Sequence, residues 1–244
     1  MRMEVAGMNP GKWTMRKQLS MADGFVMLFL IFILMNGIVG SGILPVEWLS
    51  GFLPGGATVI NKMLIQQIFQ TLLMVGIVFL FLRMRGATLQ QIGLRPFQDR
   101  RWFYWSVMWG GVTFFAMLFV SACMVKLFPN AEPQTATELI MHANGQWENF
   151  AVILMVSVLA PFSEELVFRG YIYRSLRMYK SQWFSILAAS LMFGCMHYDL
   201  FRLLPLTLVG IFLNVTAVRS ESLWGSMIMH GVWNFMMASL VLAV

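Results

Sequence analysis

The chain has 244 residues, 59% hydrophobic and only 11% charged, with 21 Phe, 22 Met, 9 Trp and a mean hydropathy of +0.71. That apolar surface exceeds what one soluble core of this size can hide, which excludes an ordinary water-soluble globular domain. A net charge of +6 would point to nucleic acid in a soluble protein, but the way the charge is distributed points to a bilayer instead.

In chain order, a basic segment (1–23) precedes an uncharged run from Gly24 to Leu44. That run has full span length and ends at "GSGILP" rather than at a small-residue cleavage site, so it reads as a retained helix. Further runs follow at Met63 to Leu82 and Trp102 to Val125, and the chain closes with one from Leu223 to Val244. Three shorter or polar-interrupted runs lie between: Asn149 through "APFSEELVFRG" (160–170), Gln182 to Met196, and Leu203 to Val218. The expected fold is all-α and polytopic, about seven transmembrane helices in one integral membrane domain, with 24–148 forming the N-terminal helices and loops. The loop 128–149 can carry a short interfacial helix from Thr135 to His142 or be an ordinary connection. Cys123 and Cys195 have neither metal-ligand spacing nor an extracellular disulfide pattern.

Thirteen of the 17 Lys and Arg residues fall on one side of the expected membrane: Arg2, Lys12, Arg16, Lys17, Arg83, Arg85, Arg95, Arg100, Arg101, Arg174, Arg177, Lys180 and Arg219. Lys62, Lys126 and Arg202 fall on the other. By the positive-inside rule the N-terminus is expected in the cytoplasm and the C-terminus outside. The basic excess is topological, and no nucleic-acid partner is expected.

The stretch "APFSEELVFRG" places Glu164, Glu165 and Arg169 in an apolar helix. One such charge at membrane depth costs ~2.5–3.5 kcal/mol, so three persist only by pairing or by facing a wet cavity. Glu165 and Arg169 are four apart with the acid first, the spacing that lets them meet. Glu164 lies ~100° round the helix and has no partner in its own segment. Pro161 frees backbone groups that need a polar environment. The competing reading is a structural ion pair in which both glutamates share Arg169.

Two of the three histidines, His197 and His230, lie in apolar runs, and Asn234 follows His230 at i+4. Counted from the turn near Lys180, Glu164 and His197 both lie ~24–26 Å along their helices, and His230 and Asn234 lie ~16–22 Å up from Arg219. Four polar residues from three helices thus converge on one layer. A carboxylate in such a cavity suits a general base, and His or Asn donors suit an oxyanion. Asn214, in "GIFLNVTAV", lines the same cavity or makes an inter-helix hydrogen bond.

The ordered set "EELVFR", "FGCMH" and "HGVWN", together with "TLQQIGLRP", resembles the CAAX prenyl protease and bacteriocin-processing (Abi) family from about Asn149 to Phe235. The resemblance makes 149–244 the catalytic helices and implies an intramembrane endopeptidase. Glu164 and His197 would activate water, His230 and Asn234 would stabilise the oxyanion, and Glu165 and Arg169 would support them. It implies a hydrophobic peptide or membrane-protein substrate within a lipid bilayer, and for a bacterial relative the plasma membrane.

Relatives have been described as metalloproteases. Zinc held by Glu164, His197 and His230 is therefore the alternative to metal-independent chemistry, which is favoured; no H-E-x-x-H is present, and with these residues dispersed over three helices the spacing neither supports nor excludes zinc. A non-catalytic immunity or scaffold protein is the competing function. A proton-coupled transporter is a third, but it predicts repeated halves that the chain lacks.

Overall fold

The computed structural model describes residues 19–39, 41–128, 140–141 and 143–243. The basic N-terminal segment up to residue 18 and nearly all of the expected 135–142 helix lie outside the described residues. Regular structure among the described residues is helical throughout. Helix α1 (Met21–Leu34) runs into a π-helical turn (Met35–Val39) and is followed by the short α2 (Val46–Ser50). Then come α3 (Val59–Arg85), α4 (Arg101–Leu127) and the long α5 (Gly145–Arg177). The last three are α6 (Gln182–Cys195), α7 (Leu200–Arg219) and α8 (Leu223–Leu242).

With α1 taken through its π turn (Met21–Ile38), all but α2 and α6 are long and apolar enough to cross a membrane. The chain is an integral membrane protein of about seven helices. The exception matters, because 14 residues make α6 only ~21 Å long, short of the ~30 Å hydrocarbon core. Its C-terminal turn, which carries His197, therefore ends before a full crossing.

Helix starts are set by side-chain caps. Ser20, Thr58, Ser181, Asp199 and Ser222 each accept a hydrogen bond from a first-turn N–H of α1, α3, α6, α7 and α8. Gly86 ends α3 in the left-handed conformation, with Arg83 and Arg85 in the last turn, where cations favour the helix dipole.

Polar pins at the two ends align α3 with α5. At one end the Trp147 Nε1–H donates to Asn61 Oδ1 (2.8 Å), and Asn61 Nδ2 donates to the Pro54 and Gly56 carbonyls. At the other, Arg85 grips Asp23 with two 2.6 Å bonds while the Tyr171 hydroxyl donates to the same carboxylate. Because the starts meet starts and the ends meet ends, α3 and α5 run parallel.

Arg85, Arg95, Arg174 and Arg219 gather at that second end. The loop after α3 buries Ile92 completely and lays Gly93 over the Arg174 guanidinium, where a Cβ would come within 2.1 Å of Nη2. It then bonds to the α7–α8 turn: Arg95 to the Glu221 carboxylate (2.7 Å), Ser222 Oγ to the Arg95 carbonyl, and Leu223 N–H to the Gly93 carbonyl. The "TLQQIGLRP" segment is thus a strap across three helix ends.

Candidate active site

The site is built on α5, which is not a uniform helix. It consists of α-helical Gly145–Leu154, a π-helical turn Met155–Leu159, α-helical Ala160–Glu165, a second π turn Leu166–Ile172, and a last α turn Tyr173–Arg177. Each π turn inserts an extra residue, so it rotates the following face by about one residue, ~100°. Between the two turns sit Pro161 and both glutamates. Pro161 sits within the span just after a π turn, and its missing N–H leaves a preceding carbonyl without a backbone partner.

Glu165 and Arg169 are both fully buried. Their side chains meet at 2.8 Å between Oε1 and Nη1, the i,i+4 pairing expected from their spacing. Arg169 Nη2 donates to the Gly210 carbonyl of α7 (3.3 Å), and the guanidinium stacks 4.5 Å over the Phe193 ring of α6. Asn214 Nδ2 donates to that same Gly210 carbonyl and to Ser190 Oγ on α6, both at 3.0 Å. Asn214 thus makes the inter-helix hydrogen bond. Three helices are stitched around one ion pair by hydrogen bonds and ring stacking, while Glu165 Oε2 and Arg169 Nε are buried without a hydrogen-bond partner among the described residues.

His230 joins this network from α8. Its Nδ1 lies 2.9 Å from Glu165 Oε1, and since a carboxylate already receiving Arg169 can only accept, Nδ1 carries the proton. The other nitrogen, Nε2, faces Glu164 Oε2 at 3.9 Å. Trp233 stacks on the imidazole at 5.6 Å and Phe193 meets it edge-on at 6.0 Å. The Glu164 side chain keeps 17% of its surface exposed where that of Glu165 keeps none.

His197 lies in the turn just past the end of α6 and is exposed. Its Nδ1 donates to the Phe193 carbonyl (2.8 Å), which leaves Nε2 with a free lone pair. Its ring packs on Phe193 at 4.8 Å, so the two imidazoles share one aromatic neighbour. Among the described residues no carboxylate oxygen comes within 4.0 Å of His197. Asn234 Nδ2 donates to the Val156 carbonyl in the first π turn (2.6 Å), a bond that spacing alone does not anticipate.

The structure therefore gathers Glu164, Glu165, Arg169, His230 and Asn234 across α5 and α8, and sets His197 behind Phe193. Sequence reasoning did not pick out Trp233 or Ser190. Phe193 entered it only as the first residue of "FGCMH", four residues before His197 on the same helix face. Among the described residues no three His, Cys, Asp or Glu side chains come together as a metal-ligand set.

Residues 146–236, which hold all of these groups, match the family described as "Type II CAAX prenyl endopeptidase Rce1-like". A 91-residue stretch is 34% identical to "UPF0177 protein YbdI" of Lactococcus lactis subsp. lactis (strain IL1403), covering 36% of this chain and 46% of that protein. An 83-residue stretch is 30% identical to "Putative membrane peptidase YdiL" of Bacillus subtilis (strain 168), covering 34% of each. The chain thus spans less than half the length of either curated relative. No solved structure matches it. The pattern of paired glutamates, arginine, two histidines and asparagine, read first as a resemblance to the CAAX prenyl protease and bacteriocin-processing family, falls inside the segment of this membrane protein, residues 146–236, that matches the Rce1-like family.

Proposed function

We propose that the chain is an intramembrane endopeptidase that hydrolyses a peptide bond in a hydrophobic or lipid-associated peptide or protein, without a metal. The observation that carries this is the asymmetry of the paired glutamates. Glu165 is consumed by Arg169 and His230, while Glu164 keeps an exposed edge 3.9 Å from an imidazole nitrogen. An unpaired carboxylate at membrane depth is a costly feature that structure alone does not demand.

In this reading Glu164 takes a proton from water as the water attacks the scissile carbonyl, and His197 orients that water through its free Nε2. His230 and Asn234 stabilise the oxyanion, His230 through an Nε2–H that it carries only when both ring nitrogens are protonated, because its Nδ1–H is given to Glu165. The Asn234 amide has two N–H groups, and the one not given to Val156 remains for that purpose. The Glu164 carboxylate then passes the proton to the leaving amine. The basic helix ends lie on the cytoplasmic side and the C-terminus outside, in a bacterial plasma membrane.

The test is cleavage of hydrophobic peptides, with and without a lipid modification, by purified protein and by Glu164→Gln at matched amounts. The amide keeps the carboxylate's shape but cannot take up water's proton, so cleavage should vanish while peptide binding persists. Complementation of a deletion strain by Glu164→Gln as well as by wild type would sink the peptidase reading and leave the immunity or scaffold role.

A further inference from the structure

Asn234 spends its shortest hydrogen bond on a backbone carbonyl, and the reason lies in how α5 is broken. In the first π turn the Ala160 N–H reaches back five residues to the Met155 carbonyl. The Val156 carbonyl therefore cannot receive Ala160, its partner in an α-helix. Its partner in a π-helix would be the N–H of residue 161, and that residue is proline. The same missing N–H is the α-helical partner of the Ser157 carbonyl.

Helix α8 meets both carbonyls with adjacent turns. Asn234 Nδ2 donates to Val156 O at 2.6 Å. One turn earlier stands Gly231, where a Cβ would lie 2.6 Å from Ser157 O, so only glycine admits this approach. Nearby, Thr71 Oγ1 of α3 and Ser163 Oγ donate to the Leu159 carbonyl (3.3 and 3.1 Å). A buried carbonyl left unbonded in hydrocarbon is costly, so the Asn234 bond to Val156 O is a condition of the break rather than an accessory to it, and Gly231 is what lets α8 come close enough to make it.

The geometry points to Asn234 as a positioning residue, a clamp that holds the carbonyl freed by Pro161 and so keeps α5 in its π-turned register. The consequence is directional. The inserted residue rotates everything after it by ~100°, the same angle that separates Glu164 from Glu165. Held in this register, Glu165 faces Arg169 and the Nδ1 of His230, and Glu164 faces the open side. Were α5 to relax into a regular α-helix, Glu164 would turn into the place that Glu165 now holds and Glu165 would turn a further ~100° away from it. The clamp also fixes the plane of the Asn234 amide and so aims its second N–H. Its effect on rate rests on the peptidase reading above; its effect on stability does not.

Four purified proteins test it: wild type, Pro161→Ala, Asn234→Ala and the double variant, each followed by thermal unfolding in detergent and by peptide cleavage. Asn234→Ala should lower Tm by ~2–8 °C in the wild-type background, the cost of leaving a buried carbonyl unbonded. In the Pro161→Ala background it should cost far less, because residue 161 then supplies an N–H of its own. Pro161→Ala should keep its Tm near or above wild type yet lose at least ~10-fold in kcat with KM within about twofold, as expected when a catalytic group is misplaced and binding is not. Should Pro161→Ala not fold, Pro161→Leu restores the same N–H with a larger side chain and carries the same comparison. An equal Tm loss from Asn234→Ala in both backgrounds overturns the clamp, as does full kcat in the folded residue-161 variant. Coupling in Tm with no cleavage by any of the four proteins, wild type included, would keep the clamp and end the peptidase reading.

Discussion

The two sides of α5 at residues 164 and 165 carry the same side chain in the same turn and treat it in opposite ways. On the sealed side Glu165 is fully buried between Arg169 and His230, behind which Gly210, Asn214 and Ser190 continue the hydrogen bonds into α6 and α7. On the open side Glu164 keeps some exposure and one loose neighbour, Nε2 of His230 at 3.9 Å, while His197 packs on Phe193, the ring that also meets His230. At low dielectric a carboxylate is either satisfied, and then inert, or left reactive at a cost in stability. The sealed side bears the cost of the open one.

Separate damage to each side sharpens that contrast. The largest effect should come from Arg169→Ala or Glu165→Ala, each of which strands a buried charge at ~3–5 kcal/mol, enough to remove most of a marginal fold. The measurement is monodisperse yield and Tm in detergent. A Tm for either variant equal to that of Glu164→Gln would erase the distinction between the sides. His197→Ala should leave Tm almost unchanged, since the ring is exposed, while cleavage falls ~10²–10⁴-fold as befits loss of an acid–base group. A large Tm drop with intact specific activity would move His197 to the structural side.

A smaller effect belongs to the rim of the sealed network. Asn214→Leu, close in volume, removes two hydrogen bonds at 3.0 Å and should cost ~1–3 kcal/mol with activity per folded molecule retained. Loss of activity without loss of stability would place Asn214 in the open cavity instead. The smallest effect, none at all, is expected from a membrane-permeant chelator. Loss of cleavage that zinc alone restores would instead make Glu164, His197 and His230 metal ligands.

Much of this was legible along the chain because two periodicities carry it. Span length and charge asymmetry yield the bundle, and the i,i+4 spacings of Glu165 with Arg169 and of His230 with Asn234 show which side chains share a face. Counting residues from the turns put Glu164 and His230 in one layer, and the structure sets them 3.9 Å apart. The same count assumed straight α-helices. It could not show that α6 ends within 14 residues, that His197 sits in a turn, or that Asn234 turns back to Val156.

Those features depend on which backbone groups remain unpaired after the helices meet, a property of neighbouring elements rather than of any window of sequence. Pro161 announced by itself that a backbone N–H was missing. It could not say whether the helix would end, kink or take an extra residue, because each choice leaves a different carbonyl bare. Only α8, with an amide at Asn234 and no side chain at Gly231, decided which carbonyls could be left so. Composition and spacing by themselves determined a helical membrane protein with one charged helix. Packing decided which of two adjacent glutamates is sealed and which stays open, since that depends on a ~100° rotation stabilised from another helix.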